Sequence, residues 1–455
     1  MHENKFSRRM FLASIPTAAA TLALTGCSTA SSSSSSSGGH KVLIVGSPDK
    51  SSFSIYNSKG KRLATVDGVI PALFSSDIVS VLTKDYIIIE RDNKRGFCDL
   101  NGKIILEPVY DDVTNFFEGS TMICQNGLYG YADETGNIFI EPQFSKAFAF
   151  SSGLAAVMDS TYHWGYIDQT GSYVIPSTLP VQPGFFCGDF APYDRLYEHG
   201  GGVHQYLIDR SGNILDSLYN SVVRIPSNQF EFHNGYAAVT IPDPNDILKH
   251  TQGFINEAGE LCFTDKSFSS VFNFSNGRAI VYPSDRSGFK ILDTDGNYLT
   301  TAGFLTDFAS YHNGMLYATI EAENNDWKQV FLDLDGQIAF EIPEELEVYR
   351  SDPFFEYDHV LIRNKILDKK GNIKYDFTNT VNNYGEVLYA CTGGDDFVIY
   401  ESNTERDFVG VTTLKGKEIL KADNYCFLGV IDLDTGLTFS LDPFRVKTLH
   451  LPDTV

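Results

Sequence analysis

The chain has 455 residues, with 58 acidic against 35 basic side chains and a net charge of −23. An excess of that size repels phosphate backbones and anionic headgroups, which argues against nucleic-acid binding and against direct docking on a lipid surface. Phe and Tyr are plentiful and Trp is scarce, and the length suffices for a large buried core.

In chain order, the first feature is Ser7-Arg8-Arg9-Met10-Phe11-Leu12, a weakly apolar run interrupted by Pro16, and then Leu24-Thr25-Gly26-Cys27. The run is about fifteen residues long, short of the roughly 20 that a spanning helix needs. The segment resembles a bacterial lipoprotein signal. That resemblance implies cleavage after Leu24, Thr25 and Gly26 and a lipid on the sulfur of Cys27. Arg8 and Arg9, with Ser7, Phe11 and Leu12, resemble the twin-arginine export signal; Ala13 departs from the lysine often found there and leaves the general secretion route open. Residues 1–26 are thus expected to be removed. The remainder carries two further net negative charges, so its membrane attachment must come from the lipid. Residues 27–40 are nearly all serine and small residues, a flexible spacer with a reach of about 20 Å.

Residues 41–455 repeat. Gly96-Phe97-Cys98-Asp99-Leu100-Asn101-Gly102, Gly130-Tyr131-Ala132-Asp133-Glu134-Thr135-Gly136 and Gly165-Tyr166-Ile167-Asp168-Gln169-Thr170-Gly171 place their turn glycines 34 and 35 residues apart. Weaker copies end at Gly60, Gly212, Gly259, Gly296, Gly336, Gly371 and Gly416, about ten units in all. The pairs Asp99/Gly102, Asp133/Gly136 and Asp168/Gly171 fit a type I turn, with Asp accepting backbone amides and Gly in the left-handed conformation. Alternating apolar residues on both sides predict half-buried strands. The early glycines Gly96, Gly130, Gly165, Gly253, Gly288 and Gly410 predict a bulge or a close backbone approach. A second signature, an aromatic three residues before glycine, occurs at Phe116…Gly119, Phe150…Gly153, Tyr197…Gly200, Phe232…Gly235, Phe274…Gly277 and Tyr311…Gly314.

Trp164-Gly165-Tyr166-Ile167-Asp168 with Tyr173-Val174-Ile175-Pro176, and Tyr129-Gly130 with Ile140-Glu141-Pro142, resemble the WG-containing repeat of bacterial proteins. The resemblance covers residues 95–176, keeps the tryptophan in one copy, and places Arg95, Tyr129 or Gln252 at that position elsewhere. It implies a β-rich repeat and no catalytic residue.

No residue pattern points to chemistry. The acidic turns at Asp293/Asp295, Asp333/Asp335 and Asp432/Asp434 lack the further oxygens and bidentate Glu of a calcium loop. Ser58 and Lys61 match Ser-x-x-Lys only across a turn. Cys98, Cys124, Cys187, Cys262, Cys391 and Cys426 have no metal-site spacing and read as small apolar core residues. Tyr162, Trp164 and Trp327 could stack on sugars if exposed, but aromatics at such places more commonly serve turns and core.

The expected fold is all-β, a β-propeller-like array of meanders closed by the strand at Lys41–Val45, with an open twisted β-solenoid as the alternative. The expected role is a membrane-anchored, extracytoplasmic binding module for a protein or glycan, with no cofactor, metal or nucleic acid. The alternative is an enzyme or sensor acting on cell-envelope glycan.

Overall fold

The computed structural model describes residues 41–71, 82–196, 203–214, 232–243, 246–299, 304–322, 326–346, 355–356, 358–377, 384–391, 397–402, 408–425, 427–433, 438–441 and 447–450. Among these the chain is all-β, with one short 3-10 turn at Glu344–Leu346. Consecutive strands pair antiparallel into nine sheets, and the seven-stranded one holds two units joined by the single pair Gln252↔Phe268. The result is ten meanders in a row. Typical propellers have about 4–8 blades, so this array is larger than the usual range.

The third unit shows the plan: Asp112–Val113, Ser120–Gln125, Leu128–Asp133 and Ile138–Phe144, paired in that order. Sequence reading anticipates three of these strands. The fourth, Asp112–Val113, is two residues long, too short to carry a periodicity of its own. Gly130 faces the point where the outer strand bulges at Glu141-Pro142. A Cβ there would lie 2.4 Å from the Ile140 carbonyl oxygen and 2.6 Å from the Pro142 nitrogen. Gly96 and Gly165 meet the same obstruction in their own units. Proline belongs at this place because a bulge leaves its missing N–H without consequence.

Aromatic rings join successive units at four of the junctions. Phe116 lies 4.8 Å from Phe97, Phe150 4.8 Å from Tyr131, Phe186 4.7 Å from Tyr166 and Phe274 5.0 Å from Phe254. The two tyrosines of these ring pairs keep their hydroxyls satisfied across the same interfaces. Tyr131 donates to the Phe148 carbonyl and Tyr166 to the Gly184 carbonyl, each at 2.7 Å.

These interfaces close on themselves. Buried clusters join each unit to its successor from the third to the tenth. Tyr389, Phe397 and Val411 of the tenth then pack on Leu43, Leu428 and Val430, and the opposite side of that sheet packs on Ile87 and Phe97 of the second. The closing sheet draws on both ends of the chain. Lys41–Gly46 pairs with Ser52–Asn57 on one side and with Phe427–Asp432 on the other. The C-terminal strand thereby takes the place that Asp112–Val113 holds in the third unit. The array is a ring, and the open solenoid is set aside. Lys41 and Asp432 sit opposite each other in this pairing and form an ion pair of 3.4 Å with both side chains 1 % exposed.

Candidate interaction surfaces

Register divides the ring into two rims. Ser120 pairs with Asp133, Tyr86 with Asp99 and Arg278 with Asp293. The Asp…Gly turns therefore share one rim with the turns that precede Ser120 and its equivalents. The opposite rim carries the hairpins centred on Asn126, Tyr162, Arg286 and Arg363.

On the turn rim, Asp168 accepts the amides of Thr170 at 2.8 Å and Ser172 at 3.1 Å, and Gly171 has φ 81°. Asp133 accepts those of Thr135 and Asn137, and Asp99 those of Asn101 and Lys103. The Thr170 hydroxyl at 2.6 Å, then the two amides, hold the Asp168 carboxyl below its ordinary range; the Thr135 hydroxyl does the same for Asp133. A carboxylate so occupied is a poor general base, because its lone pairs are already committed. Gly102, Gly136 and Gly171 all have positive φ.

The second signature forms tight turns on the same rim, with Glu118, Ser152, Asn234, Asn276 and Asn313 at positive φ just before glycine. These turns are tied around the ring. Gly153 donates to Glu118 Oε2 at 2.7 Å, Gly188 to Ser152 Oγ at 2.9 Å, Gly277 to Asn234 Oδ1 at 3.0 Å and Gly314 to Asn276 Oδ1 at 2.8 Å. Longer side chains span two turns: Arg210 donates to the carbonyls of Ser152 and Gly188 and pairs with Asp189. Tyr197…Gly200 lies outside the described residues. The corresponding turn of the fifth unit instead runs Phe186-Cys187-Gly188-Asp189, with its glycine moved one place forward, a shift that a fixed aromatic-to-glycine spacing misses.

On the opposite rim Tyr162 is 74 % exposed and Trp327 58 % exposed. Trp164 is different: it is 4 % exposed and stacks on Phe148 at 5.5 Å with ring planes 13° apart, so it serves the core and not a ligand. The other residues at its repeat position also reach for neighbouring strands. Arg95 pairs with Asp112 and Glu90, and Gln252 accepts the Val271 amide.

Cys98 and Cys124 are buried, whereas Cys187 and Cys262 are only half-buried; none of the four forms a disulfide. Burial pushes the Cys98 thiol up to about 12, far from a reactive thiolate. The side chain of Cys391, and Cys426 altogether, lie outside the described residues, as do Arg8, Arg9, Leu24, Thr25, Gly26 and Cys27. Among the described residues no group of three or more His, Cys, Asp or Glu side chains is arranged to hold a metal ion. No helix among them is long and apolar enough to cross a membrane. Sequence reading does not single out the Lys41–Asp432 pair, because its partners stand at opposite ends of the chain.

The profile of the WG containing repeat matches residues 96–129, 129–159 and 164–178. No curated protein matches the sequence. Among solved structures, a eukaryotic initiation factor aligns at 11% identity over 85% of this chain and 96% of its own, with a TM-score of 0.40. BamB from Moraxella catarrhalis aligns at 12% identity over 70% and 97%, with a TM-score of 0.27. Hsv2 from Kluyveromyces lactis aligns at 8% identity over 65% and 94%, with a TM-score of 0.26. Residues 96–178 thus carry WG-containing repeats, set in a longer ring of meanders.

Proposed function

We propose that this protein is a membrane-anchored, extracytoplasmic binding module, tethered by a lipid on Cys27 and presenting its ring to a protein or glycan partner without catalysing a reaction. The observation that carries the reading is the use of the polar side chains on the turn rim. Asp99, Asp133 and Asp168 hold their own turns, and Glu118, Ser152, Asn234 and Asn276 hold the neighbouring turns. What is left for a partner is a broad rim of exposed hairpins, including Tyr162 and Trp327, two aromatics of the kind enriched at binding hot spots. Repeat arrays commonly present such surfaces.

Two measurements test it. Cys27→Ser should release the chain from the membrane fraction or leave residues 1–26 uncleaved, and fatty-acid labelling that persists in that variant would refute the anchor. A photo-crosslinking residue at position 162 or 327 should give a discrete product in intact cells. The exposed aromatics also suit a glycan, so release of reducing ends from purified cell-wall glycan by the wild-type chain would replace the binding reading with an enzymatic one.

A further inference from the structure

The ring sorts the charge of the turn rim in a way the net charge conceals. From the third unit to the eighth, the exposed ionised residues of the Asp…Gly turns are acidic, namely Glu134, Glu257, Glu260, Asp295 and Asp335, apart from Arg210, whose charge is paired with Asp189. The ninth, tenth, first and second units carry the exposed Lys370, Lys415, Lys417, Lys59, Lys61 and Lys103 at the same turns. The structure gives none of these six a carboxylate partner among the described residues. In sequence the lysines are dispersed over the whole chain. Ring closure brings them onto one arc, as two contacts show: a Cβ on Gly60 would lie 3.1 Å from Ile419 of the tenth unit, and one on Gly102 2.8 Å from Ala64 of the first.

The chain enters the ring in the middle of this arc. Val42 pairs with Asn57, the first residue of the turn that carries Lys59 and Lys61, so Lys41 starts at the same rim. The serine-rich residues 28–39 and Cys27 lie immediately before it.

We infer that the basic arc centred on Lys59, Lys61, Lys415 and Lys417 docks on the anionic phospholipid headgroups of the membrane to which the chain is tethered, and so sets the ring's orientation with the Tyr162 and Trp327 rim facing away. The acidic turns sit on the other side of the ring. At physiological salt, charges farther away than about 8–10 Å are largely screened, so the arc acts on a nearby surface as a local positive patch despite the net charge. Basic residues close to an anionic leaflet add attraction roughly one by one. Membrane lipid is favoured over other polyanions because the tether emerges at this arc. In this respect the expectation from net charge, that surface docking is disfavoured, is revised.

The inference rests on the tethered reading for the identity of the surface, but it is tested without the lipid. The full chain carrying Cys27→Ser is sedimented with vesicles of phosphatidylcholine alone or enriched in phosphatidylglycerol. Binding to the anionic vesicles should be at least about tenfold tighter, and raised salt should abolish the difference. Replacing Lys59, Lys61, Lys415 and Lys417 with Gln should remove the preference, whereas Glu134→Gln with Glu257→Gln should leave it unchanged. Equal binding to both vesicles overturns the inference. So does a preference that survives high salt, or one that tracks net charge at either arc. Displacement by inorganic phosphate at matched ionic strength overturns it too, in favour of a discrete phosphate site. Loss of labelling at Cys27 bears on the tether alone, so each reading can fail separately.

Discussion

Removing the carboxylate of Asp432 tests the closure most directly. Both partners of the Lys41–Asp432 pair are 1 % exposed and 3.4 Å apart, at the rim end of the two central strands of the sheet that joins the two ends of the chain. Asp432→Ala leaves the Lys41 ammonium buried without that partner, a change that typically costs about 3–5 kcal/mol. Domains of ordinary stability hold about 5–15 kcal/mol in reserve, so the loss should be plain in urea unfolding. Exposing that pair to water should also open the seam before the rest. Amide exchange should rise first in Lys41–Gly46 and Phe427–Asp432 and leave Leu128–Asp133 protected. The double variant Lys41→Met with Asp432→Leu should recover most of the loss, since a buried pair exchanged for apolar residues of similar volume is often neutral. A cost of Asp432→Ala below about 1 kcal/mol, or a double variant no better than the single, would refute the buried-pair argument.

Four further outcomes follow from the geometry. Gly130→Ala should cost about 3 kcal/mol because its Cβ meets backbone, whereas Gly119→Ala, in open space at φ 75°, should cost only about 1–2 kcal/mol; equal losses in thermal unfolding would contradict the bulge account. Tyr131→Phe should cost about 1–3 kcal/mol by leaving the Phe148 carbonyl without its 2.7 Å donor, and a neutral effect on urea unfolding would show that the bond is dispensable. Partial burial raises the Asp368 carboxyl, but hydrogen bonds from Asn372, the Lys370 amide and Lys374 outweigh it and hold the group at about 2. Because the folded value lies below the ordinary 3.8, the stabilisation is complete above about pH 4 and is lost as pH falls toward 2, and Asp368→Asn should flatten acid unfolding across that window. Acrylamide should quench two tryptophan populations, an accessible one from Trp327 and a shielded one from Trp164, and Trp327→Phe should leave only the shielded one.

Much of the unit was legible because its determinants are local. Asp168 and Gly171 build their turn from four consecutive residues, and Gly130 announces a close approach wherever the partner strand lies. What depends on distant partners was not. Trp164 could serve a sugar or the core as far as the sequence goes, with the core the commoner outcome, and its stacking on Phe148 decides for the core. Asp112–Val113 forms a strand only because Ser120–Gln125 passes beside it. In the fifth unit Gly188-Asp189 keeps the tight turn while breaking the spacing that would reveal it. Charge is the clearest case: a net of −23 describes the chain, whereas the arrangement of turns decides what each side of the ring presents.

The seam between Lys41–Gly46 and Phe427–Asp432 also imposes an order of events. During synthesis the first strand exists long before its second partner, so one hydrogen-bonding edge of a strand that is buried along its whole length in the folded ring stands open while the other units assemble. An open edge of this kind pairs readily with other chains. A nonsense or frameshift lesion anywhere between Gly46 and Phe427 should strand this same edge, and such products should be found aggregated or degraded rather than partly active.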